Sequence, residues 1–251
     1  MPAWVPARPL LAYASGLVLL ATGLGLLFKR TAAAAATVLT ANLVLWVLLL
    51  QIPRVLSNAG TEIVWNGLGE NLTLAAAGWI LVVSLATPAS RVARRGEQNL
   101  RVARAIFGIA LLPIGLAHLT YVPQTTQLVP AWLPFRVGFA YVTGVAQIAA
   151  GLGIVLGVLP RLAATLEASA LAIFGLLVWA PAVISPPTNR LSATALLITF
   201  AVSGAAWIVA GSLERVAHSP AWIRLSASRP PARAQTAFAE SAQPAKPRGT
   251  S

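Results

Sequence analysis

The sequence predicts an all-α membrane protein of seven transmembrane helices, arranged as a parallel tandem repeat of three helices followed by four. Three observations predict this class. Hydrophobic residues make up 57% of the chain and charged residues 10%, with a mean hydropathy of +0.77, whereas soluble globular domains carry about 25% charged residues. Seven stretches each approach the roughly 20 apolar residues that a helix needs to cross the hydrocarbon core. The opening motif MPAWVPARPLLAY returns as VPAWLPFRVGFAY at 129–141, so that Tyr13 and Tyr141 lie 141 − 13 = 128 positions apart.

The predicted spans are 9–28, 32–56, 64–87, 101–121, 136–158, 160–184 and 190–213. Charges and turn formers separate them: Lys29-Arg30, the stretch from Ser57 to Glu62, a basic run from Arg91 to Arg104, the Pro-rich 122–134, Pro160-Arg161, and Ser185-Pro186-Pro187. Residues 214–251, rich in Ala, Pro, Ser and Arg, hold too little aliphatic surface to offset ordering entropy and read as a disordered basic cytoplasmic tail. The first span has the look of a signal peptide, but its counterpart at 141–156 sits mid-chain, where no signal peptidase would process it.

Charge sets the orientation. With the N-terminus outside, fourteen of the 18 Lys and Arg fall on the inner side, and only Arg8, Arg54, Arg136 and Arg190 fall outside. This asymmetry is the positive-inside pattern of a bacterial inner-membrane protein with its C-terminus in the cytoplasm. The net charge of +12 therefore belongs to cytoplasmic loops rather than to a nucleic-acid surface. The absence of Cys excludes thiol chemistry and thiolate metal sites, and His118 and His218 are too few and too far apart for a metal or haem site.

The 128-residue offset continues beyond the opening motif. Gly16, Gly23 and Gly25 match Gly144, Gly151 and Gly153; Pro53, Val55 and Ser57 match Pro181, Val183 and Ser185; Trp79 matches Trp207. The second copy carries an extra helix at 101–121 that the first lacks. The chain thus divides into a truncated first repeat at 1–88, a basic loop at 89–100, a complete repeat at 101–213 and the tail. A full unit has an even number of spans, so the two copies run the same way through the bilayer. Either the first helix of the leading copy is lost or the true start codon lies upstream.

The run RAIFGIALLPIGLAHLTYVPQTTQLVPAWLPFRVGFAYVTGVAQIAAGLGIVLGVLPRLAATLEASALAIFGLLVWAPAV, residues 104–183, resembles the DoxX family of small bacterial membrane proteins. The likeness is carried by an Arg-led helix ending in Gly115-x-x-His118, the Pro130-x-Trp132-x-Pro134 segment, the Thr143-Gly144 helix and the Arg161-Leu-Ala-Ala start of the next. It implies a four-helix bundle in the inner membrane and, for some members, an association with sulfur-compound oxidation and quinone reduction. Related sequences often carry His ahead of the Pro closing the third helix, where this chain has Gln51 and Trp179.

Polar side chains inside a bilayer cost a few kcal/mol unless paired, so each is a candidate for function. Glu70, Asn71, Gln51, His118 and Tyr141 fall in the outer half and Gln147 at mid-span. Together with Arg136 and Trp132 of the external segment, they are the candidate ligand-binding residues of an outward-facing cavity. Glu70 leads the set, because a carboxyl at that depth stays uncharged or is matched with Arg8, Arg54, Arg136 or His118. The blander alternative makes Asn42, Asn71 and Gln147 interhelical glue and His118 a helix cap. Glu167 is expected to snorkel or to pair with Arg161. The Trp, Pro and Arg shared by both copies (Trp4 and Trp132, Pro6 and Pro134, Arg8 and Arg136) suit an interfacial scaffold, and Gly153 with Gly157 forms a GxxxG packing motif.

These features favour a binding or accessory subunit that holds a lipid, a quinone or a partner protein in the outward cavity. A membrane component of a quinone-linked oxidoreductase is the alternative, with a bound quinone as its electron carrier since no cofactor motif is evident. A small-molecule transporter comes third: the halves are duplicated, but apart from Pro113 no helix break with a mid-membrane charge cluster is visible.

Overall fold

Apolar segments have one way to satisfy their backbone in lipid without partners, which is to coil into helices. The computed structural model describes residues 6–87, 90–184 and 190–217, and among these it is all helical. Seven helices are long and apolar enough to cross a membrane: α1 (Arg8–Leu26), α2 (Ala32–Ser57), α3 (Glu62–Leu85), α4 (Gly96–Thr120), α5 (Arg136–Leu156), α6 (Pro160–Ile184) and α7 (Arg190–Ala217, apolar to Leu213). Short helices Arg91–Arg94 and Val122–Leu128 lie in the connections. The compact helical unit runs to Glu214, and of the unit that follows only Arg215–Ala217 is described. Trp4, Ser185, His218 and the tail from 218 onward lie outside the described residues.

Local chemistry sets several boundaries. Gly157, at φ 73°, ends α5 in the left-handed conformation that glycine adopts without a Cβ penalty; it meets no neighbour within 4 Å. It is therefore a helix stop and not half of a packing motif, while Gly153 does touch Val158 and Ala163. Pro53 and Pro181 lack an N–H and crowd the carbonyl four residues back. In both helices the turn before the proline widens into a π-helical segment, Val47–Gln51 in α2 and Gly175–Trp179 in α6. There the N–H of Ile52 reaches the Val47 carbonyl, and that of Ala180 reaches Gly175.

The 128-residue offset recurs in the helix boundaries. Arg8 and Ala32 start α1 and α2, and the residues 128 positions later, Arg136 and Pro160, start α5 and α6. The two π segments obey the same offset, as do the left-handed residues Ala7 and Phe135 that precede α1 and α5.

α4 stands at the centre. Between apolar helices in lipid there is little hydrophobic drive, so close van der Waals approach decides which pairs pack. A Cβ added to Gly108 would lie 2.6 Å from the Gly151 carbonyl oxygen, and one on Gly151 would lie 2.5 Å from that of Gly108. One helix turn pair along, Gly115 and Gly144 repeat the reciprocal contact at 2.7 and 2.8 Å. α4 and α5 are therefore antiparallel and packed backbone to backbone. On its other side α4 receives Gly69 of α3, whose added Cβ would stand 2.5 Å from the Ala110 carbonyl oxygen. The core around Phe107, Leu111 and Ile80 is otherwise lined by alanines of α3 to α7, including Ala77, Ala103, Ala150, Ala164 and Ala206.

Polar bonds fix α7. Arg104 is buried and donates from Nε to Ser212 Oγ at 2.9 Å and from Nη2 to the Ser212 carbonyl at 2.8 Å, with Glu97 at 3.6 Å. Ser203 Oγ donates to the Ala168 carbonyl of α6 at 2.7 Å. Arg104, inside the predicted span 101–121, thus staples α4 to α7, and α4 itself starts earlier than predicted, at Gly96. By contrast α1 touches only the edge. It packs on α2, helped by a Trp46 Nε1 to Ser15 Oγ hydrogen bond at 3.2 Å, and Thr22 is its one buried residue among those described. Gly16 and Gly23 of α1, the counterparts of Gly144 and Gly151, have nothing within 4 Å of an added Cβ.

The contrast yields a paired prediction. Gly144→Leu destabilises the protein by at least about 1–3 kcal/mol, the usual cost of overpacking, whereas Gly16→Leu at the matching position leaves stability unchanged. Thermal unfolding in detergent measures both, and equal losses would refute the packing described.

Candidate functional site

The helix ends that meet at one end of the bundle enclose a cavity of about 490 Å³, within the range of small-molecule sites. Each helix contributes one face at helical spacing: Ile63, Asn66 and Glu70 from α3; Ile114 and His118 from α4; Thr143, Ala146 and Gln147 from α5; Glu167, Ala170, Leu171 and Phe174 from α6; Ala195, Ile198, Thr199 and Val202 from α7. Tyr121 and the short helix Val122–Leu128, through Thr125 and Leu128, close over it.

Its polar groups are bonded sparingly. Glu70 Oε1 accepts from Asn66 Nδ2 at 3.1 Å, one turn back on the same helix. Gln147 is 4% exposed and Glu167 3% exposed, so both sit where an unmade hydrogen bond is costly. Gln147 Nε2 donates to Glu167 Oε1 at 3.2 Å, linking α5 to α6, while Gln147 Oε1 is buried without a partner. His118 Nδ1 lies 3.0 Å from the Ile114 carbonyl. A carbonyl only accepts, so Nδ1 carries the proton and Nε2 of the neutral ring remains an acceptor. The imidazole edge packs on Phe174 at 6.5 Å between centroids, and Phe174 in turn packs on Trp179 at 6.1 Å, both T-shaped.

The structure thus brings Glu70, His118 and Gln147 to one cavity and adds Glu167. The other residues singled out from sequence lie elsewhere. Asn71 is buried and donates from Nδ2 to the Gly67 carbonyl of its own helix at 2.9 Å, a local bond that links no two helices. Gln51 sits in the π segment of α2 beside Gly67 and accepts a 3.5 Å hydrogen bond from Arg54. Tyr141 and Trp132 are exposed, at 50% and 69%. Arg136 acts at one remove: Nε donates to the Val129 carbonyl and Nη2 to the Thr126 carbonyl, each at 2.9 Å. It thereby satisfies carbonyls at the C-terminal end of the short helix that covers the cavity.

One expectation is corrected. Glu167 neither snorkels nor turns to Arg161: it is buried against Gln147 because its position, three and four residues before Ala170 and Leu171, lies on the cavity face of α6. That i, i+3, i+4, i+7 series ending at Phe174 was the available sequence signal. Glu70 is bonded to Asn66 of its own helix. Trp179 was overlooked as a lining residue, although its place two residues before Pro181 marks a distorted turn.

A second, more open groove of about 840 Å³ runs between α3, α4 and α5 past Gly69 and Pro113, with Glu62 and Trp65 at one end. It is almost wholly apolar, and both Glu62 carboxylate oxygens are buried without a partner. No group of three or more His, Asp and Glu among the described residues could hold a metal ion. Compared with known proteins, the chain matches no family model, no curated protein and no solved structure.

The Gln147–Glu167 bond makes a double-mutant prediction. Gln147→Leu alone leaves Glu167 without its donor and costs about 1–3 kcal/mol, while Gln147→Leu with Glu167→Leu recovers most of that loss. Unfolding midpoints of the four proteins of the cycle measure the coupling, and simple additivity would show that the bond is not formed.

Proposed function

We propose that this multi-pass membrane protein is a binding or accessory subunit that holds an amphiphilic small molecule in the cavity between α3 and α7. The observation that carries this reading is the burial of Gln147 and Glu167 at the side of a 490 Å³ space whose wall is mostly apolar and aromatic, with Glu70 and His118 also facing it. Polar groups at such depth are expensive, and a cavity of this size with a few convergent polar groups is the usual form of a small-molecule site. The local resemblance to DoxX proteins and the shared 128-residue offset of helix starts support two like-oriented copies of one unit.

The site itself is asymmetric. His118 and Gly115 lie on α4, and the positions matching Gln147 and Glu167 in the leading copy are Leu19 and Leu39.

 Both are apolar, and the pocket draws on both copies, since α3 of the leading one contributes Ile63, Asn66 and Glu70. We place the protein in a bacterial inner membrane with its N-terminus outside, which puts the cavity end of the bundle on the outer face. The quinone-linked oxidoreductase component reads the same cavity as a quinone site.

Extraction of the protein purified in mild detergent, followed by mass spectrometry of the released small molecules, tests the reading. A molecule recovered in about stoichiometric amount from the wild type and largely lost from Ala146→Phe, which fills the cavity, is expected. Equal recovery from both proteins, or an empty wild type, would overturn it. A quinone in the extract favours the oxidoreductase alternative.

Orientation has its own test, made simple because the chain contains no Cys. In intact cells a membrane-impermeant thiol reagent should label a single cysteine at Ala59 or Ala131 and spare one at Lys29. The reverse pattern would invert the topology.

A further inference from the structure

We propose that the ligand of this cavity is an amphiphile bearing a protonated amine. The inference rests on the reading that the cavity holds a small molecule, and it adds the class of that molecule. Four hydrogen-bond acceptors belonging to the lining residues are free or only partly used. Glu70 and Glu167 each receive one side-chain amide N–H, from Asn66 at 3.1 Å and from Gln147 at 3.2 Å, although a carboxylate has about four acceptor positions. Gln147 spends its amide nitrogen on Glu167 and leaves Oε1 buried with no partner. His118 commits Nδ1 to the Ile114 carbonyl and keeps Nε2 as an acceptor in the neutral ring.

Among the described residues, no Lys or Arg lines the cavity. Its described lining therefore holds two carboxyl groups and an orphaned carbonyl and no cation. An ammonium group supplies what is missing, a positive charge and three N–H donors on one atom. A head group that only accepts hydrogen bonds would leave Gln147 Oε1 unpartnered. The rest of the lining fits an apolar body: Ile114, Leu128, Val142, Leu171 and the T-shaped pair Phe174 and Trp179, whose ring faces also attract cations.

The test compares 4-phenylbutylamine with 4-phenylbutanol, which differ in the charged head alone, by equilibrium binding to the full chain in zwitterionic nanodiscs with empty nanodiscs subtracted. The amine should bind the wild type at least about ten-fold more tightly than the alcohol, as expected of charge-assisted hydrogen bonds. Glu167→Gln and, independently, Glu70→Gln should each reduce that preference; either variant suffices if the other fails to fold. Equal binding of amine and alcohol by the wild type, or a preference that survives both substitutions, overturns the amine class but leaves the cavity reading standing. Binding of neither compound, with no small molecule in the wild-type extract, overturns both.

Discussion

Close backbone contact between α4 and its neighbours is the constraint on which the rest of the structure depends. Inside a bilayer the helices gain little by hiding apolar surface from one another, since lipid is as apolar as leucine. What distinguishes one pairing from another is how near two backbones can come. The reciprocal glycines 108 with 151 and 115 with 144 remove the side chains that would hold α4 and α5 apart, and Gly69 does the same for α3. With α4 fixed between them, the alanine-rich faces of α6 and α7 close the core.

Tight packing along this seam is what makes room elsewhere. The glycines draw α4 and α5 together, while the larger side chains of α6 and α7 and the π-helical turn before Pro181 shape the space alongside. The cavity opens where Glu70, His118, Gln147 and Glu167 face inward. The short helix over it is held by one arginine, Arg136, through backbone carbonyls that would otherwise end unsatisfied. Arg104 plays a comparable part for α7, binding both the hydroxyl and the carbonyl of Ser212.

Matching positions meet different surroundings in the two halves. Gly144 and Gly151 lie against α4, and Gly16 and Gly23, at the same places on α1, face open space. α1 is correspondingly exposed along most of its length. A glycine kept at a position thus reports a packing surface only when a second helix is there to use it.

The amino-acid order alone determined the number and limits of the spanning helices, because apolar length is a local property matched to lipid thickness; most predicted ends lie within two or three residues of those found. It also determined the 128-residue offset, which needs only comparison of the chain with itself. The largest discrepancy is the start of α4, where the basic residues before Arg104 disguise a helix that begins at Gly96. Tertiary structure decided which polar residues share a site. Helices that are apolar nearly all round, such as α2, carry no stripe to say which face turns inward. Their rotation is set by glycine contacts with helices distant in sequence. That rotation sends Asn71 to its own backbone and Tyr141 outward, and it brings Glu167, expected from the sequence to snorkel or to pair with Arg161, to Gln147.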